Sequence, residues 1–127
     1  MPENFADRLL QAIEAKGAPV CVGVDPVYER LPNATAGDDD GPAGQKRLAV
    51  VQAFCQRVLE IVAPIVPAVK LQSAHFERYA HRGVELYFRL VRRARELGLL
   101  TIGDVKRGDI GSTAAAYAAA HLADPWA

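Results

Sequence analysis

The sequence predicts an α/β fold with a leading helix and three successive βα units laid on a parallel sheet. Three observations carry this. Short apolar runs alternate with segments of helical periodicity, and such alternation implies crossover helices between parallel strands. The runs "PVCVGVD", "AVKLQ" and "LLTIGD" are nearly continuous in apolar residues, as strands of a covered parallel sheet are. Each run also carries a charged residue at or near its end.

Residues 3–16 read as a helix with Phe5, Leu9, Leu10 and Ile13 on one face and Gly17 as its stop. The first strand covers 19–25 and is expected to be buried on both faces. Residues 26–44, rich in Pro, Gly and Asp, form a long loop, and loops of such length are uncommon unless they serve function. Leu48, Val51, Cys55, Val58, Leu59 and Val62 then repeat at helical spacing until Pro64 and Pro67 end the segment. The second strand is "AVKLQ". A helix over 74–97, with a break expected at Gly83, buries Tyr87, Leu90, Val91, Ala94 and Leu97. The third strand covers 99–104. After a charged loop, "STAAAYAAAHLA" forms a last helix with Ser112 or Thr113 near its start.

With 127 residues, 15 basic and 15 acidic, the chain suits one ordinary globular domain or a piece of one. Zero formal net charge gives no electrostatic reason to expect nucleic acid or an anionic membrane as partner. No apolar run approaches the roughly 20 residues of a membrane helix. The amphipathic N-terminus carries acids, unlike a signal or transit peptide, so a cytoplasmic protein is expected. Cys21 and Cys55 form no CxxC and no zinc spacing, and are expected to be buried free thiols.

The candidate site lies in Asp25, Lys70, Asp104, Lys106 and Asp109. In parallel α/β folds the C-terminal strand ends build the site. Asp25 closes the first strand, Lys70 lies near the end of the second, and Asp104 closes the third. Taken singly, Asp25 before Pro26 could merely open a turn, and Lys70 could extend along a strand edge to water. Asp104 and Lys106 share a face if the strand continues that far; the alternative is a local ion pair on a loop. Gly108 then lets the chain turn, so Asp109 projects elsewhere. An ammonium held between carboxylates stays protonated, which suits a proton donor to a carbanion better than a Schiff-base nucleophile. These residues point to carbanion or enolate chemistry on a small anionic substrate, without an obligatory metal.

"VGVDP", "AVKLQSAHFE" and "GDVKRGDIGSTAAAYA" together resemble orotidine 5'-monophosphate decarboxylase, most closely its longer bacterial branch. The resemblance implies a TIM (β/α)8 barrel, of which residues 1–127 would be the N-terminal part, incomplete at three βα units. It implies decarboxylation of orotidine monophosphate to uridine monophosphate, a homodimer, and neither metal nor organic cofactor. By motif position Asp25 would bind ribose hydroxyls, and Lys70 would contact the ribose within the charged network. Asp104 would face the departing carboxylate, and Lys106 would stabilise and protonate the C6 carbanion. Asp109 and Thr113 would cross to the neighbouring subunit's ribose. Leu71 and His75 depart from the family's usual "VKPQ" and "AFFE", but neither is in the charged array. His75 is read as a helix-face residue, His81 and His121 receive no role, and the basic run 92–95 is read as a solvated helix face.

A TIM barrel takes about 250 residues, so a fragment or truncated frame is expected, with two open sheet edges and an uncovered sheet face, inactive and aggregation-prone if made alone. Three other readings stay open at this point: a magnesium-dependent sugar-phosphate enzyme of the same superfamily, a non-catalytic remnant, and a Schiff-base aldolase using Lys70 or Lys106.

Overall fold

The structure, a computed structural model, describes residues 3–34 and 44–122. Its elements follow the order α1 (Phe5–Lys16), β1 (Cys21–Val24), a single 3-10 turn (Tyr28–Arg30), α2 (Gln45–Val62), β2 (Ala68–Gln72), α3 (Ala74–Glu77), α4 (Ala80–Glu96), β3 (Leu100–Asp104) and α5 (Gly111–His121). The Asp-rich part of the long loop, residues 35–43, lies outside the described residues.

Helix α1 starts where Asn4 Oδ1 accepts the Ala6 N–H at 2.9 Å, satisfying one of the first-turn donors. It stops at Gly17, whose φ of 64° suits a residue without Cβ. None of its side chains is fully buried. Lys16 Nζ donates to the Ala63 carbonyl at 2.7 Å and ties α1 to the end of α2.

The strands form one parallel sheet in the order β1-β2-β3. Val69 and Leu71 of β2 point into a core with Val51, Cys55 and Leu59 of α2 and Leu86, Leu90 and Ala94 of α4. Phe76 is fully buried and meets Tyr87 edge-to-face, with ring centroids 5.7 Å apart. The opposite sheet face carries no covering layer among the described residues, as three strands alone lead one to expect, so β1 is not buried on both faces. Cys21 and Gly23 are exposed, and Val24 alone of that strand is buried. Apolar composition recorded a strand that is made to be covered, while the second layer is not among these residues.

The break in the 74–97 helix also falls elsewhere than expected. It comes at Arg78 and Tyr79, with Ala80 at φ 53° turning the chain, and Gly83 lies inside α4. Gly83 is there for closeness: a Cβ on it would stand 1.8 Å from the Phe76 carbonyl oxygen. At α5, Ser112 and Thr113 fall within the first turn and supply no cap; Ile110 is the flanking residue. The run 92–95 is outward except for Ala94, and Arg93 pairs with Glu60 at 3.6 Å and Glu96 at 3.4 Å.

The two thiols differ, so the shared expectation for them holds for one only. Cys55 is fully buried, and burial pushes its pKa up to about 12, whereas Cys21 lies on the exposed sheet face. A disulfide reagent such as DTNB is expected to titrate one thiol in the native chain, and the second only in denaturant. Loss of the native signal in Cys21→Ser checks the assignment.

Candidate functional site

Side-chain alternation sends Ala68, Lys70 and Gln72 to the face opposite Val69 and Leu71. Parallel pairing then sets the levels. Lys70 aligns with Gly23 and Ile102, Gln72 aligns with Asp104, and Asp25 follows Val24, the partner of Leu71. Three strand ends thus deliver Asp25, Lys70 and Asp104 to one place, as the reading of the strands expects.

Their contacts form a chain of alternating sign. Lys70 Nζ stands 3.3 Å from Asp25 Oδ1 and 3.7 Å from Asp104 Oδ2. Lys106 Nζ donates to Asp104 Oδ1. Gln72 Nε2 donates to Asp104 Oδ2 at 2.8 Å. Both oxygens of Asp104 are therefore engaged, one by Lys106 and the other by Gln72 and Lys70. The Asp104 side chain is 23% exposed, against 73% for Lys106. The best-partnered group is thus the carboxylate, and the lysine beside it reaches outward.

The route by which Lys106 arrives differs from the expected one. Strand β3 ends at Asp104 and does not run on to Lys106. Lys106 takes φ 38°, in the left-handed region that non-glycine residues seldom occupy. This turn, rather than strand alternation, brings its amine back onto Asp104.

The Lys106 hydrogen bond is the first cause holding the Asp104 carboxyl below its ordinary 3.8, aided by the charges of Lys106 and Lys70 and by Gln72. A depressed carboxyl adds stability above its unfolded pKa and loses it as pH falls through the folded one, because the unfolded chain takes up the proton first. The urea midpoint is therefore expected to fall as pH drops below about 3.8, and to fall less steeply in Asp104→Asn. Equal slopes in the two proteins would contradict the pairing.

Asp109 and Thr113 stand apart from this array. Asp109 Oδ1 accepts the Ile110 N–H at 2.8 Å, and Asp109 borders a cavity of about 240 Å³ with Val105, Tyr117 and His121. Thr113 is exposed on the first turn of α5. His75 and His81 lie outside the array, and His121 stacks on Phe88 with centroids 5.7 Å apart.

Two features escaped sequence reasoning. Gln72 was signalled by its position two residues after Lys70 on the same face. The ion pair between Glu77 and Arg107 links segments 30 residues apart, and no local pattern announces it. Arg107 is the first cause holding the Glu77 carboxyl below its ordinary range. Among the described residues no cluster of three or more His, Cys, Asp or Glu is placed to hold a metal ion, and no helix is long and apolar enough to cross a membrane.

Comparison with known proteins meets this geometry from another direction. A curated orotidine 5'-phosphate decarboxylase from a Nocardioides species is 45% identical over 121 residues, covering 95% of this chain and 41% of the relative. One from Streptomyces coelicolor is 44% identical over 120 residues, covering 94% and 40%. A crystal structure assigned to the same enzyme from Streptomyces avermitilis superposes with a TM-score of 0.79 at 41% identity, over 94% of this chain and 39% of that one. Another, from Toxoplasma gondii, gives 0.77 at 31% identity. The chain therefore spans about 40% of the length of the curated relatives it matches. The parallel sheet with its helices corresponds to the first βα units of that fold. Residues 18–127, which contain every member of the charged array, match the profile of the orotidine 5'-phosphate decarboxylase / HUMPS family, and to that family the chain belongs.

Proposed function

We propose that this chain is the N-terminal part of a single TIM-barrel domain that decarboxylates orotidine 5'-monophosphate to uridine 5'-monophosphate. The observation that carries the reading is Asp104 held between Lys70 and Lys106 at the C-terminal ends of neighbouring parallel strands. As carbon dioxide leaves, the electron pair of the broken bond stays on C6 of the pyrimidine. The Lys106 ammonium opposes that negative charge and then gives its proton to C6, regaining one from solvent. Asp104 fixes the ammonium and faces the departing carboxylate. Lys70 holds Asp104 on its other oxygen and, with Asp25, lies where ribose hydroxyls would bind.

Asp109 and Thr113, outside the array yet on the loop and helix that follow it, are assigned to the neighbouring subunit's ribose in a homodimer. The activity is placed in the cytoplasm and needs no cofactor, with the ammonium of Lys106 supplying the electrostatic stabilisation. Because the relatives are much longer, and the resemblance implies a phosphate site on loops after later strands, the 127 residues alone are expected to turn over no substrate.

The test is turnover of orotidine monophosphate, followed by loss of its absorbance with EDTA present. It uses this chain completed by the downstream portion of the Nocardioides relative. Chelator-resistant turnover supports the reading. Activity confined to sugar phosphates and requiring magnesium would replace it with the other activity class that the family's name includes.

A further inference from the structure

Lys106 has an unusual backbone and an outward side chain, so something must hold it in place. Residues 105–110 belong to no helix or strand. Yet φ of 38° at a lysine costs energy and persists only where the surroundings impose it. Those surroundings are supplied by its neighbour, Arg107. Arg107 Nη1 donates to the Val105 carbonyl at 2.9 Å, bridging over Lys106 to the residue before it. Arg107 Nη2 donates to Glu77 Oε1 at the end of α3. The Glu77 backbone N–H in turn donates to the Ser73 carbonyl at 2.9 Å. Ser73 is only 4% exposed, and its backbone N–H donates to the Asp104 carbonyl at 3.2 Å. Arg107 thus ties the loop on both sides of Lys106 to α3, and the buried Ser73 just before α3 is hydrogen-bonded to the strand end that carries Asp104.

We infer that the Glu77–Arg107 ion pair is a positioning device for Lys106, holding its backbone turned so that the amine meets Asp104. Both terminal nitrogens of Arg107 are engaged within the protein, which suits a brace better than a substrate ligand. The pair belongs to no part of the charged array, and its role in catalysis rests on the reading proposed above, while its role in the loop does not. Bidentate use of a planar guanidinium explains why arginine serves here: a lysine ammonium could not span Glu77 and the Val105 carbonyl in the same fixed geometry.

Two measurements test it separately. In the chain completed by the downstream portion of the Nocardioides relative, a positive φ at Lys106 gives an intraresidue amide-to-Hα Overhauser effect stronger than at its neighbours. That excess is expected in the unsubstituted chain and is expected to vanish in Arg107→Gln and Glu77→Gln, with melting temperature recorded alongside. Its absence from the unsubstituted chain, or its persistence in both variants, overturns the inference. In the completed enzyme each substitution is expected to lower kcat by about ten- to a hundredfold with KM within about threefold, the scale of a small misplacement of a catalytic group. The double variant is expected to lose no more than about threefold beyond either single, because the two residues act as one unit. Arg107→Lys is expected to resemble Arg107→Gln, and Arg93→Gln on the outer face of α4 to leave kcat unchanged. Losses that multiply in the double variant, or that fall on KM alone, overturn the positioning role. An inactive unsubstituted enzyme would instead count against the proposed decarboxylation, and the Overhauser measurement would still decide the brace.

Discussion

Replacing Lys106 with alanine is expected to lower kcat in the completed enzyme by at least about 10⁴-fold, since general acid catalysis contributes about 10²–10⁴ and a fixed opposing charge about 10²–10³. Both contributions reside in one ammonium. The loss is expected in kcat with little change in binding of the product nucleotide. Asp104 keeps Gln72 at 2.8 Å and Lys70 at 3.7 Å, so its carboxylate is not left unpaired. The fold is expected to survive for the same reason, because the Lys106 side chain is 73% exposed and buries little. Single-turnover kinetics with a melting curve on the same sample check both halves. A variant that kept more than a hundredth of the activity would remove Lys106 from the chemistry.

The largest effect on stability is expected at Gly83. In an exposed helix interior, glycine to alanine stabilises by about 1 kcal/mol. In α4 the sign reverses, because the added Cβ would stand 1.8 Å from the Phe76 carbonyl oxygen, 2.8 Å from its carbon and 2.9 Å from Tyr79 Cβ. The two Phe76 atoms are backbone and the third is a Cβ fixed to it, so no rotamer change relieves the contact. Gly83→Ala is expected to cost about 3 kcal/mol or more, at the upper end for an overpacked site, read from the urea unfolding midpoint. A neutral or stabilising result would show that α3 does not fold back against α4 as described. The site would feel the damage, since Phe76 and Glu77 sit on the short helix that Gly83 packs against.

Much of this fold was legible because its local signals agree. "AVKLQ" is strand β2 residue for residue, and the helical spacing of Leu48, Val51, Cys55 and Leu59 marks the buried side of α2. The convergence of Asp25, Lys70 and Asp104 was legible too, since parallel strands carry their C-terminal ends to one edge. What sequence reasoning got wrong depends on distant neighbours. The exposure of Cys21 follows from a sheet face that no layer among the described residues covers, which strand composition by itself does not record. The helix break at Arg78 and Tyr79 follows from Phe76 entering the core, and Gly83 is needed for the close packing that results. The turn at Lys106 depends on an arginine reaching across to Glu77, a contact with no periodicity to betray it.

A site that forms and protonates a carbanion at C6 must also run its last step backwards. If Lys106 gives a proton to C6, it must also remove one from the product, so the completed enzyme is expected to exchange the C6 hydrogen of uridine monophosphate for deuterium in D₂O. The exchange is expected to persist in EDTA and to vanish in Lys106→Ala. Decarboxylation with no detectable exchange at C6, or exchange that survives loss of Lys106, would contradict the account.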